Sequence, residues 1–333
     1  MAVYTSLSAD TLARLIGEYD VGDLISAKGI AEGVSNSNWL VDTTRGRFIL
    51  TMYENRVEVG DLPFFLGLLD HLAAKGSPVP RTIHDRQGDA FRMVEGKAVA
   101  LIEFLPGVSV DQPTPAQARS VGEALAGVHL NSADFAGERA NSMALADWRE
   151  LFDGCGPDGL RSIDPALPAL VAEEMALLAD HWPRDLPRSV VHADLFPDNV
   201  LILGDRVCGL IDFYFACTDI TAYDLAVTHA AWSFGADGGF RPDVARALIE
   251  GYLAARPLSA PEKRALPLLA RGAAMRFLAT RAYDWLHTPA DALVTRKDPM
   301  DFACRLSFYA AEGDRAFPGL EEQDIGERGA ATA

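Results

Sequence analysis

Apolar residues first recur at a helical period. Leu12, Leu15, Ile16 and Tyr19 fall at i, i+3, i+4 and i+7, one face of a helix that Ser8 can cap. The pattern then changes to that of strands. Residues 24–31, 37–42 and 47–53 are strand-like, with turns around Gly33 and across 43–46, and the last two predict a hairpin. A second helical stripe follows in Leu62, Phe65, Leu66, Leu69 and Leu72. Asp61 is placed to cap it, Pro63 stands in its first turn, and Gly76, Pro78 and Pro80 stop it. Two more strands are expected at 90–94 and 98–104, joined by the turn Glu95-Gly96-Lys97.

Leu105-Pro106-Gly107, with Pro113 and Pro115, breaks this pattern and marks a lobe boundary. Beyond it helices are expected at 114–130, 145–152, 168–181, 221–232, 242–255 and 261–286. One strand pair, 190–192 with 200–203 and 207–212, interrupts them. The chain therefore divides into an N-terminal lobe, 1–104, and a mainly helical C-terminal lobe, 105–320. The polar, Gly- and Ala-rich tail 321–333 is expected to be disordered.

Composition narrows the function classes. Of 333 residues, 49% are hydrophobic and 23% charged, a globular balance. Lys and Arg number 30 against 47 Asp and Glu, a formal net charge of −17. A nucleic-acid partner would need a basic face, and an anionic membrane surface would repel this chain. Backbone amides and a metal ion can still hold the phosphates of a small cofactor. No apolar stretch is long enough for a membrane span, and the first residues lack a signal-peptide pattern. Cys155, Cys208, Cys217 and Cys304 form no CxxC pair, which suggests free thiols in a reducing cytoplasm.

The densest chemistry lies in VVHADLFPDNVLILGDRVCGLIDF. Asp194 follows a strand on a loop, where its carboxylate can accept a proton from a substrate hydroxyl. Asn199 and Asp212 stand at neighbouring strand ends, so their oxygens can converge on one Mg²⁺ that bridges nucleotide phosphates. His192 fits a role bracing the loop through hydrogen bonds better than one in proton transfer.

This His192-x-Asp194-x4-Asn199 set, with Asp212 following, resembles the aminoglycoside phosphotransferase and choline kinase group, over nearly the whole chain to about residue 315. The resemblance implies an α+β, two-lobed protein-kinase-like fold: an N-terminal antiparallel sheet with a helix, then a mainly helical lobe. It implies ATP and Mg²⁺ as cofactors. Asp224 resembles the group's later, loop-stabilising Asp. Gly33, Ser35, Asn36 and Asn38 resemble its nucleotide loop, where small residues let backbone amides approach phosphates. Glu103-Phe104-Leu105 resembles the hinge that meets adenine, assigning Glu103 and Leu105 to ATP binding. The likeness breaks at one place. Kinase-like sheets carry a Lys in the third strand, and Thr51 stands there instead, with Arg56 the nearest candidate substitute.

Within the group, FILTMYE, DLPFFLGLLDHLAAKGSPVP, RFLATRAYDW and LVTRKDP resemble bacterial homoserine kinases of the kinase-like type. That likeness implies phosphorylation of the L-homoserine hydroxyl for threonine biosynthesis. Arg276 and Asp284 share one helix face, with Arg281 three residues before Asp284. These three charges are expected to grip the carboxylate and ammonium of the amino-acid substrate.

Overall fold

The computed structural model describes residues 7–30, 36–54, 57–288 and 296–320. Helix α1 (Ala9–Gly17) is capped by Ser8, whose hydroxyl accepts from the Thr11 amide at 3.1 Å. Strands β1 (Leu24–Ile30), β2 (Asn36–Thr43) and β3 (Gly46–Tyr53) follow, then helix α2 (Leu62–Ala74). Strands β4 (Thr82–Ile83), β5 (Arg92–Val94) and β6 (Lys97–Glu103) complete an antiparallel sheet of order β1-β2-β3-β6-β4, with β5 also on β6. Asp61 makes no capping bond to α2. Its carboxylate takes Arg139 Nε at 2.7 Å instead, tying α2 to the second lobe.

Strand alternation sorts the sheet's side chains between two cores. Leu50, Met52, Val99 and Leu101 face α1 and pack with Leu12, Leu15 and Ile16. Ala98, Ala100 and Ile102 face the other way and join α2 to a core continuous with the later helices. Thr51 is buried, one residue out of step with Leu50 and Met52, so it belongs to the inner face.

After β6 the chain leaves the sheet and runs against residues 201–202. Gly107 has φ 135°, and a Cβ there would stand 2.9 Å from the Leu201 Cβ. Glycine lets the backbone come close enough for Val108 and Ile202 to exchange hydrogen bonds of 3.1 and 2.9 Å. Helices α3 (Pro115–Asn131), α4 (Leu145–Ile163) and α5 (Leu167–His181) follow. Next come β7 (Arg188–Val191), β8 (Val200–Leu203), β9 (Arg206–Leu210) and β10 (Cys217–Ile220), then α6 (Thr221–Trp232), α7 (Pro242–Ala255), α8 (Ala260–His287) and α9 (Met300–Glu312). Every residue of α6 is buried.

Four expectations need correction. β7 pairs with β10, while β8 and β9 form their own hairpin. The short β10 and β4 were not anticipated. Helix α4 continues past 152, absorbing a kink at Gly156, whose φ is 64°. Helix α9 was not anticipated either, though Phe302, Leu306 and Tyr309 give it an apolar face. The tail 321–333 lies outside the described residues. The cysteines are free: Cys155 and Cys217 buried, Cys208 half-buried, Cys304 exposed. Among the described residues no helix is long and apolar enough to cross a membrane.

Candidate active site

The turn after β7 is fixed from behind by one buried acid. Asp224, in the first turn of α6, accepts the backbone amides of His192 at 2.6 Å and Ala193 at 2.7 Å. It also meets His129 Nε2 at 3.0 Å. A carboxylate can only accept, so His129 donates, and its Nδ1 meets the Tyr252 hydroxyl at 2.8 Å. Burial alone would raise the Asp224 pKa. The hydrogen bond and charge of His129, with the neighbouring His192, outweigh this and hold it below the ordinary carboxylate value. Ala193 sits at φ 63°, a left-handed conformation that a residue with a Cβ keeps only where its surroundings impose it.

His192 locks the next step of the chain. Its Nδ1 accepts the Asp194 amide at 3.2 Å, so Nε2 carries the proton and donates to the Ile211 carbonyl at 2.9 Å. Burial pushes its pKa down, which keeps the ring neutral in that tautomer. The ring also packs on Phe213 at 4.4 Å. The loop bearing Asp194 is thus joined to the segment bearing Asp212.

Asn199 makes the second joint. Its Nδ2 donates to the Asp194 carbonyl at 2.8 Å and lies 3.4 Å from Asp194 Oδ2, leaving Oδ1 for another partner. Its carbonyl accepts the Ile211 amide at 3.0 Å, one pair beyond Val200 and Leu210 at the open end of the hairpin. Asp212 follows in a left-handed conformation, φ 65° and ψ 55°.

Burial pushes the Asp194 pKa up to about 7; Arg276 opposes this, while Asp212 and Asp198 add to it. Asp212 keeps a solvent-facing carboxylate, yet crowding by the protein, with Asp198 nearby, lifts its pKa to about 6. Among the described residues no cluster of three or more His, Cys, Asp or Glu forms a metal cage. The pair of Asn199 and Asp212 suits an ion that takes its remaining ligands from phosphates and water, as Mg²⁺ does.

The end of β3 meets the segment after Asp212, where Tyr53 packs on Tyr214 with ring centres 5.5 Å apart. Gly33, Ser35 and Arg56 lie outside the described residues. Asn38 Oδ1 accepts the Thr51 hydroxyl at 2.8 Å, so a neutral hydrogen bond occupies the strand position where a Lys would stand. Asn36 Oδ1 lies 3.4 Å from the Glu54 amide. Glu54 also accepts Ser37 Oγ at 2.6 Å and pairs with Lys97, which brings a cation to this end of the sheet from β6. At the opposite end Glu103 grips Arg81 through two contacts of 3.2 Å. Leu105 lies against Gly209 of β9, where a Cβ would come within 2.8 Å of its Cδ1. The segment after β6 therefore lies against the strand that leads to Asp212.

The charges of α8 are placed differently from the expectation. Arg276 is 2% exposed; its Nη1 donates to the Ala193 carbonyl, and the rings of Phe215 and Phe277 lie 5.1 and 4.8 Å from its guanidinium. It buttresses the loop that bears Asp194. Arg281 pairs with Asp301 at 2.8 Å and donates to the Asp298 carbonyl at 2.9 Å, joining α8 to α9. Asp284 is exposed. Helical spacing put Arg276 and Asp284 on one face, with Arg281 three residues before Asp284, but not what Arg276 meets, which is the loop backbone. Sequence reasoning missed His129, whose only mark was a polar side chain within the apolar stripe of α3.

A sheet lobe covering an Asp–Asn loop and a second Asp is the arrangement of kinase-like phosphotransferases. Residues 26–258 match the phosphotransferase enzyme family, and the chain belongs to it. Homoserine kinase of Azorhizobium caulinodans is 50% identical over 320 residues, 96% of this chain and 99% of that protein. Among solved structures, spectinomycin phosphotransferase in complex with ADP and spectinomycin has a TM-score of 0.70 at 16% identity, covering 93% of this chain and 100% of that one. Amicoumacin kinase, solved with AMP-PNP and Ca²⁺, has a TM-score of 0.66 at 14% identity, covering 94% and 96%. These two likenesses concern the fold.

Proposed function

We propose that this chain transfers the γ-phosphoryl group of ATP to the side-chain hydroxyl of L-homoserine, giving O-phospho-L-homoserine for threonine biosynthesis in the cytoplasm. The observation that carries the reaction is the convergence of Asp194, Asn199 and Asp212 at one hairpin mouth. The name of the half-identical relative supports the acceptor.

Asp194 orients the acceptor hydroxyl and takes its proton as the oxygen attacks phosphorus. A pKa pushed up to about 7 suits a base working near neutrality. Asn199 Oδ1 and the Asp212 carboxylate would hold Mg²⁺, which neutralises charge on the nucleotide phosphates when bound. His192 and Asp224 keep the Asp194 backbone in place, and Arg276 closes the loop from the other side. Asn36 and Asn38 are assigned to the phosphates, as are Gly33 and Ser35, which lie outside the described residues. The backbone of Glu103 and Leu105 meets the adenine, since the Glu103 carboxylate is engaged by Arg81. Positioning and preorganised charge supply most of the acceleration.

The test is ADP release with product identification, using L-homoserine, choline, methylthioribose and an aminoglycoside panel as acceptors. Selective formation of O-phospho-L-homoserine is the expected result. Turnover confined to an aminoglycoside or choline would replace the acceptor.

A further inference from the structure

The loop between Asp194 and Asn199 carries a second acid that the transfer chemistry leaves unused. Asp198 stands in the turn Pro197–Asn199, and its Oδ2 lies 3.5 Å from Lys297 Nζ, with the two side chains 63% and 61% exposed. Lys297 Nζ is also 5.6 Å from the centre of the Phe196 ring, which packs on Phe277 at 4.8 Å. Both charges act on Asp194, so both lie within electrostatic reach of the proton acceptor. A cavity of about 220 Å³ opens beside Asp198, lined also by Ser109, Val110, Asp111 and Pro197.

The neighbouring arginines are engaged otherwise. Arg276 holds the Ala193 carbonyl, Arg281 pairs with Asp301, Arg296 holds the Trp285 carbonyl and Arg305 the Ala230 carbonyl. The contact between Asp198 and Lys297 is long and wet, and such a pair contributes little to folding. A zwitterion can replace this one ion pair with two. An α-amino acid presents a carboxylate and an ammonium on one carbon, and two methylenes separate that carbon from the homoserine hydroxyl.

We propose that Lys297 and Asp198 form the amino-acid-reading site of the acceptor pocket, Lys297 taking the substrate carboxylate and Asp198 its ammonium while the hydroxyl meets Asp194. This rests on the homoserine reading above. An alcohol lacking either charge leaves one partner of the opened pair unmatched, which selects against simple amino alcohols and hydroxy acids.

Steady-state kinetics of Lys297→Met, Asp198→Asn and Lys297→Arg with L-homoserine test this. The first two are expected to raise the KM for L-homoserine at least about thirtyfold, with the KM for ATP within about twofold and Lys297→Arg retaining most of the affinity. If Lys297→Met or Asp198→Asn leaves that KM within about threefold, or raises the KM for ATP equally, the site is overturned. Wild-type protein inactive on L-homoserine would remove the homoserine reading itself, a different failure from active wild type with indifferent variants.

Discussion

Asp224 and Asp194 lie on opposite sides of the same short loop and are treated in opposite ways. Asp224 has no exposed surface, yet two backbone amides and His129 donate to it, and its pKa is held low. Asp194 is only partly covered, and the side-chain donor beside its carboxylate is Asn199 at 3.4 Å; its pKa is pushed up to about 7. Burial depth alone would rank these two acids the wrong way round for reactivity. What separates them is satisfaction: the matched acid fixes structure, and the undersatisfied one is left able to take a proton.

The strongest way to break this contrast is at the matched acid. Asp224→Asn keeps shape but turns one acceptor oxygen into a donor facing donors. It is expected to cost ~3–5 kcal/mol of stability as well as turnover, read by denaturant unfolding and kinetics together. Undiminished stability would mean that the network is not what holds the loop. Next comes the rim. Asp212→Ala should leave the fold intact while reducing turnover by about a thousandfold, ~4 kcal/mol, and weakening Mg²⁺-dependent nucleotide binding measured by calorimetry. Normal MgATP binding in this variant would remove Asp212 from the metal site.

The raised pKa of Asp194 predicts a smaller effect, on stability. Its folded value near 7 exceeds its ordinary 3.8, so between these values the folded protein binds the proton more tightly. Stability is therefore full below about pH 4 and falls as pH rises through about 7. Asp194→Asn removes that fall. Thermal melts should show it more stable than the parent by ~1–2 kcal/mol at about pH 8, after solvent screening, with the gap closing toward about pH 4. A gap that grows on acidification would contradict the sign. Smallest is Thr51→Ala, which removes a neutral hydrogen bond to Asn38. It should change kcat/KM by no more than about tenfold, ~1.4 kcal/mol. A larger effect in a folded variant would place phosphate contacts on Thr51.

What was legible in the chain followed from locality. Asp194, Asn199 and Asp212 lie on consecutive pieces of one loop and hairpin, so their order along the sequence nearly dictates their meeting in space. The sheet with its helix and the helical lobe also appeared as expected, because burial on one face imposes a period that a sequence displays. The two-residue β4 and the four-residue β10 are too short to show one. The pairing of β7 with β10 is long-range, and β8 and β9 lie between them in the chain. Arg276 marks the clearest limit. Helical spacing put it beside Asp284 and Arg281, but only the folded chain shows that α8 turns Arg276 onto the Ala193 carbonyl and Arg281 onto α9.

The division of labour between the two acids is tested most directly by measuring turnover and nucleotide affinity on one variant. In Asp194→Asn, rapid-mixing kinetics with L-homoserine should show kcat reduced at least about a thousandfold, while calorimetry gives a Kd for MgATP within about threefold of the parent. A variant that turns over within about tenfold of the parent would contradict Asp194 as the proton acceptor.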